Sequence, residues 1–203
     1  MFGPFRIGPV VGVGLPSFLV FGGAIKLTKY FGAGINYGIV PKLQFAYYGD
    51  ATVQYQGVNI YGHIHPLGGG FFLGAAIGYA HVRGTYEEEF DISDYVPPGS
   101  GLPTKLPYTS EATMQTLVLT PDIGYFFTFK SGFTMGVDAG LQIPVAPSDI
   151  TFKSHINTSL PAAVEDQLVT KFIEPTDARV QSTLERVGQT ILPTFGIKMG
   201  WLF

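Results

Sequence analysis

Five ionisable residues stand out because each lies in a stretch of sequence that is otherwise almost free of charge. They are Arg6, Lys26, Asp122, Asp138 and Lys198. A charged group in apolar surroundings needs an oppositely charged or hydrogen-bonding partner. The five residues therefore predict either an internal network of ion pairs or a path for protons or small solutes.

Two histidines form the second group that could do chemistry. His63 and His65 are two residues apart, so on a strand they share one face and could present two imidazoles to a metal ion. No third ligand is near them in sequence, so we expect no metal site and expect both rings to be in contact with water. The chain has no cysteine, which excludes disulfides, thiolate metal sites and cysteine nucleophiles. No glycine-rich phosphate loop is followed by a helix, and the sequence predicts no cofactor.

The composition limits the class of protein. The chain of 203 residues is 46% hydrophobic but only 13% charged, and it contains 27 glycines. Its net charge of −3 gives no basic surface for nucleic acid, so we expect no nucleic-acid partner. No charged residue lies between Arg6 and Lys26 or between Asp50 and Arg83. A transmembrane helix over 7–25 is excluded because Pro16 and several glycines interrupt that stretch.

The apolar residues instead follow a period of two, which is typical of strands. In 31–47, 117–127 and 133–143, one face carries large apolar side chains and the other carries glycines and polar groups. Apolar residues facing lipid, with small or polar residues facing inward, explain this arrangement. Eight segments show it, with a bulge expected at Gln56-Gly57 in the fourth: 5–14, 17–28, 31–47, 51–64, 71–84, 114–128, 132–145 and 191–203.

The connections between these segments alternate in length, with short turns on one side and long loops at 85–113 and 146–190. Barrels of the outer membrane have short turns on one rim and long loops on the other. The sequence thus predicts an all-β, closed eight-stranded antiparallel up-and-down transmembrane β-barrel, formed by 1–203 as a single domain. A helical insertion is predicted in the last long extracellular loop.

The last segment carries the most specific pattern. Its large residues alternate with small or polar ones and end on an aromatic carboxyl terminus: Phe195, Ile197, Met199, Trp201 and Phe203. This segment resembles the final strand of a bacterial outer-membrane β-barrel, and the whole plan is similar to the small barrels of the OmpA, OmpX and OmpW type. The resemblance implies that these five residues act as the insertion signal read by the barrel-insertion machinery. It also implies a mature form in the bacterial outer membrane without its signal peptide, surrounded by outer-membrane lipid and lipopolysaccharide.

Turn geometry predicts how the ionisable residues meet inside such a barrel. A turn near Lys130 would place Asp122 opposite Asp138, and a turn near Pro16 would place Arg6 opposite Lys26. Closure would bring Lys198 next to both groups, so that the five residues occupy five adjacent strands. Two opposed carboxylates repel each other unless cations compensate them, which favours the ion-pair network. The alternative is that the inward glycines leave room for water or a thin ligand.

The two long loops differ in character. Loop 85–113 is acidic, and we expect a solvated extracellular surface. Loop 146–190 shows two stretches with helical spacing, predicted as two short amphipathic helices with one apolar stripe: Val164, Leu168, Phe172, Val180, Leu184 and Val187. The stripe could cover the barrel mouth, rest on lipid, or dock a protein partner or a second copy of the chain.

The sequence therefore predicts a non-enzymatic outer-membrane protein. A lipid-modifying enzyme would need a lipid-facing serine near His81, and no neighbouring strand supplies one. An eight-stranded barrel is filled by its own side chains, so we expect a plugged interior and a structural, surface-interaction or complex-assembly role through the long loops. The alternative is a narrow channel for small or apolar solutes.

Overall fold

The computed structural model describes residues 5–46, 50–93, 104–145, 149–156, 170 and 173–203. Within these residues the chain forms nine strands and one helix. In chain order they are β1 (Arg6–Leu15), β2 (Leu19–Lys26), β3 (Phe31–Ala46), β4 (Asp50–Ile64), β5 (Phe71–Asp91), β6 (Lys105–Thr128), β7 (Phe133–Pro144), β8 (Asp149–Ile156), α1 (Glu174–Gly188) and β9 (Leu192–Trp201).

The sheet closes on itself. Strands β1 to β6 pair with their sequence neighbours, β9 pairs with both β7 and β1, and every pairing is antiparallel. Strands β7 and β8 share one position in the wall, because both pair with the same side of β6, over 118–128 and 108–115. The prediction of an all-β, closed eight-stranded antiparallel barrel is confirmed.

The two faces of the wall differ as the period of two predicts. Large apolar side chains are exposed on the outside on every strand from β1 to β7 and on β9, for example Ile60 at 60% and Phe195 at 50%. The alternating residues face inward and are glycines, polar groups or buried large side chains such as Tyr61 and Phe72. A sheet with this distribution exposes its apolar face around the whole circumference.

One rim of the barrel has short connections, at 27–30, 65–70 and 129–132, and both chain ends approach it. Two turns here use glycines with positive φ, Gly68 at 63° and Gly132 at 94°, a conformation that other residues rarely adopt. The opposite rim carries the two long connections, 92–104 and 145–191, as well as two short ones at 16–18 and 47–49, so we call the two ends the short-turn rim and the loop rim.

The wall extends beyond the barrel at the loop rim. The predicted boundaries of loop 85–113 differ from the structure, because β5 continues to Asp91 and β6 begins at Lys105, paired in unbroken register. The acidic residues do not end the strand, since Glu87, Glu89 and Asp91 all point outward to water. Loop 146–190 likewise contains a strand, β8, which continues the pairing along β6.

The irregular point of the sheet lies in β3 rather than β4. The prediction of a bulge at Gln56-Gly57 is wrong, because β4 pairs with β5 without a break from Asp50 to Ile64. Instead, Pro41 and Lys42 of β3 together oppose one residue of β4, between the pairs Val40↔Tyr55 and Leu43↔Val53. The exposed apolar residues of β4 change from odd to even positions without a bulge. Val53 faces inward like Tyr55, but it is exposed because it lies at the mouth of the barrel.

Helix α1 contacts the inward side of the extended wall. Its Asp177 accepts hydrogen bonds from Tyr108 of β6 at 2.9 Å and from Ser154 of β8 at 2.7 Å. Both donors belong to the inward row of their strands, so the first turn of α1 lies on the concave side above the barrel. No helix among the described residues is long and apolar enough to cross a membrane.

Candidate functional site in the barrel interior

Two adjacent strands bring a cation and an anion together inside the barrel, and a third strand adds an aromatic ring. Lys198 of β9 and Asp138 of β7 lie one pleat apart on adjacent strands, and Lys198 Nζ is 2.9 Å from Asp138 Oδ2. Both side chains are about 85% buried, with exposures of 14% and 15%. The same ammonium lies 5.6 Å from the centre of the Tyr61 ring, which adds a favourable contact with its π face. The pair thus spans the interior from β9 toward β4.

The second interior carboxylate has a different partner. Asp122 Oδ2 lies 3.6 Å from Nε2 of His63, and both side chains are more than nine-tenths buried. The imidazole is stacked on Phe72 with ring centres 3.9 Å apart and is tilted against Tyr61 at 4.7 Å. The sequence missed this pair because His63 stood out only as a candidate metal ligand with His65.

The predicted direct opposition of the two carboxylates is wrong. Asp122 pairs with Gly140, and Asp138 pairs with Gly124. The turn between β6 and β7 is centred one residue later than assumed, because Gly132 forms it with positive φ. Each carboxylate therefore faces a glycine on the neighbouring strand, and each has its own cationic or imidazole partner.

The remaining two predicted residues lie away from this pair. Arg6 and Lys26 are register partners on β1 and β2, which confirms their predicted opposition. They are located at the short-turn rim, where Arg6 Nη1 donates a hydrogen bond to the carbonyl oxygen of Phe129 at 3.0 Å. The structure therefore brings Lys198 and Asp138 together and places Arg6 and Lys26 at a separate level.

Glycines on neighbouring strands make room for the interior side chains. A Cβ on Gly12 would lie 2.9 Å from Lys198 Cγ, and one on Gly124 would lie 2.7 Å from Phe72 Cζ. The same relation holds for Asp122 over Gly74 and for Tyr61 over Gly34. The space that inward glycines leave is thus filled by large side chains that lie across them.

Small cavities lie on either side of Tyr61 in the described part of the interior. One of about 90 Å³ lies toward the loop rim and is bordered by Asp122, Asp138 and Lys198. The other, of about 20 Å³, lies toward the short-turn rim and is bordered by His63, His65 and Lys26. Tyr61 borders both cavities. Tyr61 was not predicted as a site residue, although odd-numbered residues of β4 such as Tyr61 face inward.

The two histidines are not in contact with bulk water. His63 and His65 are 8% and 5% exposed, which contradicts the expectation of wetted rings. His65 Nδ1 lies 3.1 Å from the carbonyl oxygen of Phe71, and the histidine rings are 6.4 Å apart. Among the described residues, no three His, Asp or Glu side chains are placed to hold a metal ion.

The other predicted residues fall on the outside or on α1. The five residues of the predicted insertion signal all face outward on or after β9, with exposures between 42% and 77%: Phe195, Ile197, Met199, Trp201 and Phe203. Of the predicted stripe, Val180, Leu184 and Val187 lie in α1, while Val164, Leu168 and Phe172 lie outside the described residues.

Comparison with known proteins gives a likeness of fold. No family model matches the chain, and no curated protein matches its sequence. Among solved structures, CarO2 of Acinetobacter baumannii has a TM-score of 0.54 at 12% identity and covers 99% of this chain and 100% of its own. CarO of the same organism has a TM-score of 0.50 at 12% identity, covering 97% of each chain. At this identity the likeness shows that the chain shares its barrel fold with the CarO proteins over nearly its whole length.

Proposed function

We propose that this protein spans the bacterial outer membrane as a β-barrel with a closed interior and acts through its loop rim, without catalytic activity. The observation that carries the proposal is the filled lumen. Side chains from opposite walls meet at Tyr61, and the cavities on either side of it are about 90 and 20 Å³. Small cavities of this kind support a packed interior without a continuous aqueous path.

The outer surface supports the location in a membrane. Large apolar side chains cover the outside of all eight wall positions, and a protein in water would have to hydrate them. Aromatic side chains near the short-turn rim contact each other in series: Phe127, Phe129, Phe133 and Trp201. Aromatic girdles of this kind lie at membrane–water interfaces. The outer-membrane lipid and, during biogenesis, the insertion machinery are the partners that this surface would require.

The loop rim is the part available to other molecules. It consists of the extended β5–β6–β8 wall, with α1 on its concave side. Acidic side chains of β5 lie on the outward face of the wall. On the inward face, hydrogen bonds from Tyr108 and Ser154 to Asp177 hold α1. A structural, surface-interaction or assembly role fits this rim, through a protein partner or a second copy of the chain.

Planar bilayers test the closed interior. The purified protein is expected to give no stable conductance steps, while the same preparation shows a folded barrel by its heat-dependent migration in SDS gels. Regular steps from folded protein would instead support the second candidate, a narrow channel. The observation that favours this candidate is the cavity of about 90 Å³, which lies on the loop-rim side of Tyr61 with two carboxylates in its lining.

The outer-membrane location has a separate test. Expression in a Gram-negative host with a signal sequence, followed by separation of the two membranes, should place the folded barrel in the outer-membrane fraction. Recovery of folded protein from the soluble periplasmic fraction would contradict the proposal.

A further inference from the structure

A polar groove of about 280 Å³ interrupts the outer surface near the loop rim. It is lined by Lys42, Thr52, Gln54, Arg83 and Thr85, from strands β3, β4 and β5. Thr52 and Thr85 are register partners whose hydroxyls are hydrogen-bonded to each other, and Gln54 is the partner of Arg83. The groove thus contains two cations together with amide and hydroxyl groups.

The groove faces outward and not into the lumen. The pairing of β4 with β5 has no break, so Gln54 and Arg83 lie on the same face as Val58 and Tyr79. Val58 and Tyr79 belong to the exposed apolar surface, at 43% and 46%. Four residues of strand separate the two rows, which is about 13 Å at the usual rise per residue. We call the exposed apolar surface around the barrel the apolar belt. The groove therefore lies on the loop-rim side of this belt.

The bulge in β3 supplies one of the two cations. Because Pro41 and Lys42 together oppose the single outward residue Gln54, the bulge turns Lys42 toward the groove. Within the described part of the chain, the ion pairs involve other residues, and none includes Lys42. The second cation, Arg83, binds Glu111 through Nη2 at 2.7 Å, and its guanidinium carries further N–H donors.

The charged residues around the groove restrict a bound anion to one side of it. In the next outward row toward the loop rim, Asp50 and Glu87 are register partners, and both are exposed. These carboxylates repel an anion on the distal side of the groove. On the side nearest the apolar belt, Lys42 attracts an anion, and the Arg83 guanidinium, whose charge Glu111 partly compensates, offers further N–H donors.

We infer that the groove binds a phosphate of an outer-leaflet glycolipid, the lipid A headgroup of lipopolysaccharide. This inference rests on the proposed location in the outer membrane, where that headgroup lies at the edge of the apolar belt. Lys42, Arg83 and the Gln54 amide donate to the phosphate oxygens, and the acyl chains lie on the surface that includes Val58 and Tyr79. Charge-assisted hydrogen bonds of this type are the strong ones in phosphate recognition.

The test measures binding of lipid A to the full chain in detergent micelles by native mass spectrometry. The double variant K42Q/R83Q should weaken binding of diphosphoryl lipid A by about tenfold, as expected from the loss of charge-assisted contacts. The matched control K29Q/K130Q removes two exposed cations from the short-turn rim and should leave binding unchanged. Dephosphorylated lipid A should bind the unaltered protein about as weakly as diphosphoryl lipid A binds K42Q/R83Q.

Three results would overturn the inference: equal affinity of the unaltered protein and K42Q/R83Q, equal loss in the control, or equal binding of dephosphorylated lipid A. Displacement of lipid A by millimolar inorganic phosphate would show a free-phosphate site and would overturn the lipid assignment. Insertion into lipid vesicles is measured on the same samples by heat-dependent gel migration. A barrel that inserts without recognising lipid A contradicts only this inference, whereas a barrel that fails to insert contradicts the proposed function.

Discussion

Gly74 faces the interior from β5, and the carboxylate of Asp122 occupies the space where a side chain at that position would stand. The variant G74A therefore forces Asp122 or the adjacent His63 ring to move, in a layer where both are more than nine-tenths buried. We expect a loss of about 1–3 kcal/mol in unfolding free energy, the usual cost of overpacking. Urea unfolding in lipid vesicles, followed by the fluorescence of Trp201, measures it.

Gly62 provides the matched control on the adjacent strand. A Cβ at this position would meet no atom within 4 Å, because Gly62 faces outward. The variant G62A is expected to be neutral or to stabilise by up to about 1 kcal/mol, since alanine has less conformational freedom in the unfolded chain. Equal losses for G62A and G74A would show that the interior contact has no part in the effect.

The pair of Lys198 and Asp138 gives a second prediction for single residues. The variant K198M removes the cation and leaves Asp138 buried without compensation, which typically costs about 3–5 kcal/mol. Replacing both residues, as K198M/D138L, should cost less than K198M alone because no uncompensated charge remains. The same urea unfolding measures both variants. A double variant that is less stable than K198M would show that Asp138 has stabilising contacts other than Lys198.

Residue positions inside the barrel were only partly predictable from the sequence. The period of two correctly placed Asp122, Asp138 and Lys198 on the inward face, because parity depends on neighbours along one strand. The partners depend on register between strands, which a single glycine in the turn shifted by two residues. His63 of β4 is the register partner of Gly74 of β5, and Gly74 is the register partner of Asp122 of β6. His63 thus meets Asp122 across a glycine, and no local sequence pattern indicates that contact.

At the scale of elements, α1 is held to the wall by Asp177, and this contact responds to pH. Burial and the neighbouring Asp177 carboxylate raise the pKa of Tyr108 above its usual value near 10. The folded state thus favours the neutral phenol, so its contribution to docking is present below pH 10 and is lost as the pH rises further. We expect α1 to detach above that pH.

A spin label reports the detachment. The chain has no cysteine, so the variant Q181C at an exposed position of α1 gives a single labelling site. Label mobility should increase as the pH rises above 10 in this protein, whereas Y108F, which has no phenol to ionise, should show little change. A Y108F variant with the same pH response would assign the effect to another group.

Strands were easier to predict than the regions that join them. The eight wall positions follow from alternation between an exposed apolar outer face and an inner face of small, polar or buried residues along each strand. The extensions of β5 and β6 and the presence of β8 were missed, because polar residues occupy both faces of these segments and the alternation loses its contrast. The bulge in β3 was also missed, although Pro41 signals it, because proline cannot donate to the ladder and is found in sheets mainly at edges and bulges.

For the whole molecule, the scarcity of charge and the abundance of glycine have one explanation. Apolar side chains occupy the outside of the wall, so the interior has to accommodate the polar groups. An eight-stranded wall encloses little space, and large inward side chains fit only where the neighbouring strand has a glycine. Side chains from neighbouring strands lie across these inward glycines, which supports the proposed plug more than a lumen with room for a thin ligand.

The proposed closed interior leads to a last prediction, in which Tyr61 is truncated. Tyr61 is 8% exposed, lies across Gly34 and borders both cavities, so truncating it joins them. The variant Y61A should give conductance steps in planar bilayers, while Y37A, which shortens an outward tyrosine, should stay silent. Core truncation of this size costs about 3–5 kcal/mol, so heat-dependent gel migration must first show that Y61A is folded. The smaller truncation Y61L preserves more packing and should give smaller or rarer steps. Folded but silent Y61A would mean that the Lys198–Asp138 and His63–Asp122 layer closes the barrel without Tyr61.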